Sequence, residues 1–237
     1  MAKRTEKAET AGDAALRALR EAGITVPELP ENTRPLQPAQ QSDENLGYPA
    51  MSQRRFDRLV QLGWPRRALE VAWQSEEVTD AVRAARQWDA GRSALVLSGG
   101  RGCGKTVAAA WRALSDPPNA LFRFCDAPRA ARIGRYSSGW AELVDAPALC
   151  LDDLGAEYLD AKESFVADVS ELVNAYYASR RRLIVTTNLS GDELAERYGA
   201  RVLDRLMECA EWVGIGGGSM RSRARPGINA DKPPWED

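Results

Sequence analysis

Histidine is missing from all 237 residues of the chain. With it go histidine general bases, Ser-His-Asp and Cys-His nucleophiles, and histidine–zinc centres. Any proton acceptor at a reactive site must be a carboxylate, or a water that a carboxylate orients. Cysteine is scarce: Cys103, Cys125, Cys150 and Cys209 are too widely spaced for a Cys-x-x-Cys metal knuckle. Two of them lie in apolar runs, which suits buried free thiols. No apolar stretch is long enough to span a bilayer. The opening residues Met1-Ala2-Lys3-Arg4-Thr5-Glu6-Lys7 lack the apolar segment of a secretory signal. The expected location is the cytoplasm, with no membrane partner. An excess of positive charge is also lacking. The formal net charge of −2 argues against a chain that coats nucleic acid over a broad surface. Contact with DNA would need a local patch or an assembly of subunits.

The length suffices for one substantial core plus an appendage. Residues 5–22 read as a short helix with a weak apolar stripe of Ala14, Leu16, Ala18 and Leu19, ended by Gly23. From Val26 to Met51, Pro27, Pro30, Pro35, Pro38 and Pro49 recur among polar residues, which is linker composition. Residues 1–51 therefore read either as a tethered docking helix that folds on a partner protein or as a frayed terminus. The main folded domain is expected over 52–222 and a loose tail over 223–237. Three helices should open the domain, around Ser52–Gln61, Arg67–Trp73 and Glu77–Trp88, with Gly63-Trp64-Pro65 breaking the first from the second. Strands and helices then alternate, which predicts an α/β fold: a parallel sheet with helices on both faces.

The densest signal is Gly99-Gly100-Arg101-Gly102-Cys103-Gly104-Lys105-Thr106. It follows the apolar run Ala94-Leu95-Val96-Leu97 and precedes the helix-like run Val107-Ala108-Ala109-Ala110-Trp111. Strand, glycine loop and helix in that order form the context of a P-loop. Glycines allow backbone angles closed to other residues, so that successive N–H groups can cradle phosphate oxygens at a helix N-terminus. Gly99 to Val107 are the expected nucleotide-binding residues. Lys105 would reach the β- and γ-phosphates, and the Thr106 hydroxyl would ligate Mg²⁺. ATP and Mg²⁺ are the expected cofactors.

Ala148-Leu149-Cys150-Leu151-Asp152-Asp153 supplies the partner motif, a buried strand with two carboxylates at its C-terminal end. In this order after a P-loop it reads as a Walker B element. Asp152 would hold Mg²⁺ and Asp153 would orient and polarise the attacking water; alone, Asp-Asp-Leu-Gly also suits a turn. Leu183-Ile184-Val185-Thr186-Thr187-Asn188 is a third such strand. Asn188 is placed to bond the γ-phosphate or lytic water, or else simply starts a turn.

These motifs, with Gly63-Trp64-Pro65-Arg66-Arg67, Leu151-Asp152-Asp153-Leu154-Gly155, Thr186-Thr187-Asn188-Leu189, Arg201-Val202-Leu203-Asp204-Arg205-Leu206 and Gly218-Ser219-Met220-Arg221, resemble the DnaC/IstB-type AAA+ ATPases over about residues 60–222. That family includes replicative-helicase loaders and transposition helper ATPases. The resemblance implies an AAA+ P-loop fold with ATP sites shared between self-associating subunits. It implies that Arg205 is an arginine finger acting on a neighbour's γ-phosphate and Arg221 a sensor-2 arginine acting in cis. Without it, Arg205 also reads as a surface salt-bridge partner of Asp204 or Glu208. Cys103 departs from the family's commoner Thr, Ser or Val, but its backbone N–H serves equally. Arg129, Arg132 and Arg135, near Tyr136 and Trp140, could line a single-stranded-DNA patch or a solvated helix face. Arg180-Arg181-Arg182 reads as a surface run.

The implied function is an ATP-dependent loader that grips a replicative helicase through its N-terminal helix and helps place it on single-stranded DNA. The alternatives are an ATPase helper of a transposase and an ATP-binding assembly switch that does not hydrolyse.

Overall fold

The computed structural model describes residues 52–74, 79–88, 91–115, 121–158 and 164–216. The expected N-terminal helix and linker, the C-terminal tail and Arg221 lie outside the described residues.

Helix α1 (Gln53–Gln61) starts where Ser52 Oγ accepts the Arg55 N–H at 3.3 Å, and it buries Phe56 and Leu59, three residues apart on one face. Leu62 caps it, and the chain turns away at Gly63, whose φ of 96° only glycine takes without strain. A Cβ there would also stand 2.8 Å from the Phe124 carbonyl oxygen. Trp64 then turns inward, its indole N–H donating to the Phe122 carbonyl at 2.8 Å. Helix α2 (Arg66–Gln74) follows Pro65, and α3 (Asp80–Gln87) is capped by Thr79.

Five strands form one parallel sheet: β1 (Ala94–Gly99), β2 (Phe122–Asp126), β3 (Ala148–Leu154), β4 (Arg182–Thr187) and β5 (Ala210–Ile215), in the order β2-β3-β4-β1-β5. The apolar runs of β1, β3 and β4 are nearly continuous because both faces of these central strands are covered. Leu95, Leu97, Cys150 and Ile184 face a layer of α1, α2, α3 and α4 (Lys105–Ser115). Val96, Leu149, Leu151 and Val185 face the other layer. That layer holds α5 (Ala127–Ile133), α6 (Ser138–Val144), α7 (Ser164–Ser179), α8 (Gly191–Tyr198) and α9 (Ala200–Cys209). The expected capping box starts α8, with Ser190 and Glu193 bonding each other's backbone N–H. The C-terminal ends of β1, β3 and β4, neighbours in the sheet, carry the three expected motifs to one crevice.

Two sequence expectations change here. Arg129 and Arg132 sit on α5, but Gly134 ends that helix before Arg135, so the three arginines do not share a helical face. Arg135 instead pairs with Asp168 at 3.6 Å and with Glu171, both on α7. Trp140 is buried in the core against Phe165 and cannot stack a base. The run at 180–182 is also not uniformly superficial. Arg181 donates to the Val144 and Ala146 carbonyls, and Arg182 packs its guanidinium 4.2 Å from the Trp88 ring centroid.

Candidate nucleotide site

The P-loop follows β1 directly. Gly99, Gly102 and Gly104 have φ of 151°, 80° and 94°. At Gly99 a Cβ would stand 2.4 Å from the Ile215 carbonyl oxygen of β5, so close strand approach as well as φ requires glycine. Helix α4 begins at Lys105, and the Ala108 N–H reaches back to the Gly104 carbonyl at 2.9 Å. Arg101 and Gly100 stay exposed at the loop tip, while Cys103 turns inward.

Lys105 is buried at 5% exposure. Its ammonium donates to the carbonyls of Gly99 and Gly100 and to Asn188 Oδ1, each at 2.8 Å, and lies 3.7 Å from Cys103 Sγ. An ammonium has three protons, so these oxygens satisfy it without neutralising its charge. Asn188, at the exit of β4, is thereby joined to the P-loop.

The carboxylates occupy a bulge. Along β3 and β4 the register runs Leu151 to Val185 and then Leu154 to Thr187, so β3 holds one extra residue. Asp152 and Asp153 together oppose Thr186. The Thr186 hydroxyl joins them, donating to Asp152 Oδ1 at 2.6 Å and accepting the Asp153 N–H at 2.9 Å. Asp153 has a φ of 54°, a left-handed conformation that Asp tolerates better than most residues. Thr106 Oγ1 stands 3.1 Å from both Asp152 carboxylate oxygens. Burial pushes the Asp152 carboxyl up to about 6, and nearby Asp153 adds to the shift; the bonds from Thr186 and Thr106 oppose it.

This donor set fits a magnesium nucleotide. The uncompensated Lys105 ammonium suits phosphate oxygens, and Thr106 with Asp152 offers hard oxygen ligands. Among the described residues no larger cluster of His, Cys, Asp and Glu could hold a metal. A small set is what Mg²⁺ uses when phosphates and waters complete its shell.

Thr186 was not singled out by the sequence, although it lies inside a motif that was. The only available signal was a Thr-Thr pair ending an apolar strand. Arg205, on α9, lies elsewhere. Its guanidinium is 5.8 Å from the ring centroid of Tyr177, near the C-terminus of α7 and just ahead of β4. That is the sheet end opposite the P-loop, so Arg205 is not part of its own chain's nucleotide site. Among the described residues it makes no ion pair with Asp204 or Glu208; Glu208 Oε2 accepts the Tyr177 hydroxyl at 2.6 Å.

Comparisons with known proteins place this geometry. Residues 81–227 match the family model of the IstB-like ATP binding protein. No curated protein sequence matches the chain. A crystal structure of the DnaC helicase loader superposes with a TM-score of 0.52 at 20% identity, covering 64% of this chain and 100% of that one. A crystal structure of DnaI does so with a TM-score of 0.50 at 21% identity, covering 65% of this chain and 93% of that one. At such identities the superpositions speak to the fold, which is the AAA+ P-loop architecture. The family model spans more than half of the sequence, and the residues it matches include Lys105, Thr106, Asp152 and Asn188: the chain belongs to the family of IstB-like ATP-binding proteins, built on an AAA+ P-loop fold.

Proposed function

We propose that this chain is an ATP-dependent AAA+ loader that hydrolyses ATP in sites shared between subunits and helps place a replicative helicase on single-stranded DNA. The observation that carries the reading is a division of labour. Lys105, Thr106, Asp152, Asp153 and Asn188 gather at one end of the sheet, while Arg205 is held away from them on Tyr177. In this reading Lys105 and the loop N–H groups bind the phosphates, and Thr106 and Asp152 hold Mg²⁺. Asp153 polarises the attacking water. A neighbour's Arg205 neutralises charge that grows on the transferred phosphoryl group. Arg221 would act in cis on the phosphates. Exposed Arg129, Arg132 and Tyr136 offer contacts to a single strand. Residues 1–51 would grip the helicase.

The likeness to a helicase loader over that protein's full compared length supports the loader reading. The family match favours a second one, an ATPase helper of a transposase.

The test uses the purified full chain. Turnover should rise more than linearly with protein concentration. Arg205→Ala should bind ATP normally yet lose about 10³–10⁵ in rate. Mixing it with Lys105→Ala should restore part of the rate, because an intact P-loop and an intact finger then meet at one interface. Wild-type turnover by Arg205→Ala at every concentration would sink the shared site. Strand displacement by a replicative helicase on a closed single-stranded circle, with and without the chain, separates the two partners. Stimulation only of a transposase's strand transfer would favour the second reading.

A further inference from the structure

Beyond Leu154 the Walker B strand leads into a cluster that the nucleotide site does not use. Gly155 has a φ of 100°, and a Cβ there would lie 2.6 Å from Leu189 Cδ1, so the exits of β3 and β4 are pressed together. The Thr187 hydroxyl ties them further, donating to the Leu154 carbonyl at 2.6 Å and accepting the Leu189 N–H at 3.0 Å. Glu157 follows, its side chain fully buried. Its Oε2 accepts the Gly155 N–H at 2.9 Å. Its Oε1 accepts Arg197 Nε at 3.0 Å and the Tyr198 hydroxyl. The Glu157 backbone carbonyl accepts Arg197 Nη2 at 2.6 Å.

Arg197 and Tyr198 are the last two residues of α8, the helix that begins just after Asn188. The chain therefore leaves the nucleotide site at Asn188, runs the length of α8, and is returned by Glu157 to the Walker B exit. Gly199, with a φ of 89°, is at once the end of α8 and the start of α9. No side chain caps α9; the Gly199 carbonyl accepts the Val202 N–H at 3.1 Å. The direction of α9, which carries Arg205 in its second turn, is thus set at a corner that Glu157 holds.

A buried ionic cluster is a poor way to gain stability, since removing the charges from water costs about as much as their attraction returns. Apolar contacts would hold the corner as tightly. What a carboxylate gripped by a guanidinium fork and a hydroxyl adds is a fixed angle between two elements. We propose that Glu157 is a positioning residue: it couples the Walker B exit of one subunit to the Arg205 which that subunit offers its neighbour. The proposal rests on the shared-site reading above. It deepens that reading by naming the route through which one site's state would reach the next.

The experiment places Glu157→Gln, which keeps the volume and removes the charge, in one member of a complementing pair. The finger donor is Lys105→Ala and the nucleotide-holding partner is Arg205→Ala. Glu157→Gln in the donor should lower turnover at saturating donor by about 10–100-fold, as misplacement by an ångström or so does elsewhere. With ATP held at a level that fills only the intact P-loop, the donor's own site is empty and cannot cause that loss. A merely destabilised donor would need a higher concentration to reach half-maximal rate but would leave the saturated rate intact. Should Glu157→Gln fail to fold, as thermal unfolding would show, Tyr198→Phe in the donor removes one hydroxyl bond and should lower the saturated rate in the same direction. A saturated rate unchanged by the folded donor variant overturns the proposal alone. So does a loss confined to Glu157→Gln in the nucleotide-holding partner. A parental mixture with no restored activity overturns the shared site, and the proposal with it.

Discussion

The two ends of the parallel sheet both draw cationic side chains out of full exposure, and they treat them oppositely. At the N-terminal ends of the strands, Arg182 lies over Trp88 at 4.2 Å and over Phe122 at 5.6 Å, and Arg112 lies 5.2 Å from the Trp88 centroid. Arg181 lies over Tyr176 while bonding two carbonyls. These guanidinium groups lie on aromatic faces, and Arg181 and Arg112 also reach backbone carbonyls. At the C-terminal ends, Lys105 and Asp152 are each 5% exposed, yet among the described residues they form no ion pair. Carbonyls and an amide hold the ammonium, and two hydroxyls hold the carboxylate. Keeping opposite charges on neutral partners leaves each able to exchange those partners for a phosphate or a metal. One end is finished as folded; the other keeps its charges on neutral partners that a ligand could displace.

The largest effect is expected at the reactive end. Asp153→Asn preserves shape and removes the charge proposed to polarise water. Hydrolysis should fall by about 10²–10⁴ while ATP binding is spared. Steady-state turnover beside calorimetric binding checks this, and normal turnover would reassign the two carboxylates.

Next in size is the pH response of Asp152. Burial favours its neutral form, so the ligand-free fold holds this proton more tightly than the unfolded chain does. Its contribution is fully present below the ordinary carboxylate range and is lost as pH rises through about 6, on the order of 3 kcal/mol in all. The stability of wild type relative to Asp152→Asn should therefore decline between about pH 4 and pH 7 in denaturant titrations without Mg²⁺. Mg²⁺-dependent nucleotide affinity should run the other way, weakening as pH falls below about 6 because the proton competes with the metal. A pH-independent difference between the two proteins would contradict the buried position of this carboxyl.

Lys105→Ala tests the charge left uncompensated. It should weaken nucleotide binding by about 1.5–3 kcal/mol, the worth of hydrogen bonds to a charged group, with the protein still folded. Unchanged affinity by calorimetry would remove the P-loop assignment.

The smallest effect belongs to the finished end. Arg182→Met keeps most of the stem and deletes the cation over Trp88 and Phe122. It should lower stability by about 0.5–2 kcal/mol. Thermal unfolding reads that loss, and nucleotide affinity should not move. A change in affinity without a change in melting temperature would mean that the two ends are not functionally separate.

The site was legible where its chemistry is written in consecutive residues. Gly99 to Thr106, Asp152, Asp153 and Asn188 all meet at one sheet edge, as their positions after apolar strands imply. Roles that depend on a distant partner are not written in this way. The spacing of Arg129, Arg132 and Arg135 suggested one helical face, but Gly134 interrupts the helix and α7 supplies two carboxylates for Arg135. Trp140 looked available for stacking, yet the core claims it. Thr186 and Glu157 carry little signal of their own, because a Thr-Thr pair ending a strand and a glutamate in a turn are commonplace.

The sequence by itself determined the strand-loop-helix order, the parallel α/β class and the glycine-rich loop at the end of β1. Those rest on local terms: glycine's freedom at positive φ, the absence of charge from runs buried on both faces, and capping by the next few residues. Only the tertiary structure decided that β3 bulges at Asp152 and Asp153, that one hydroxyl of β4 joins both, that Arg205 stands away from its own site, and that Glu157 locks the corner before α9. Each depends on strand register and helix packing between segments some 30 or more residues apart, where the identity of a residue does not reveal what it will face.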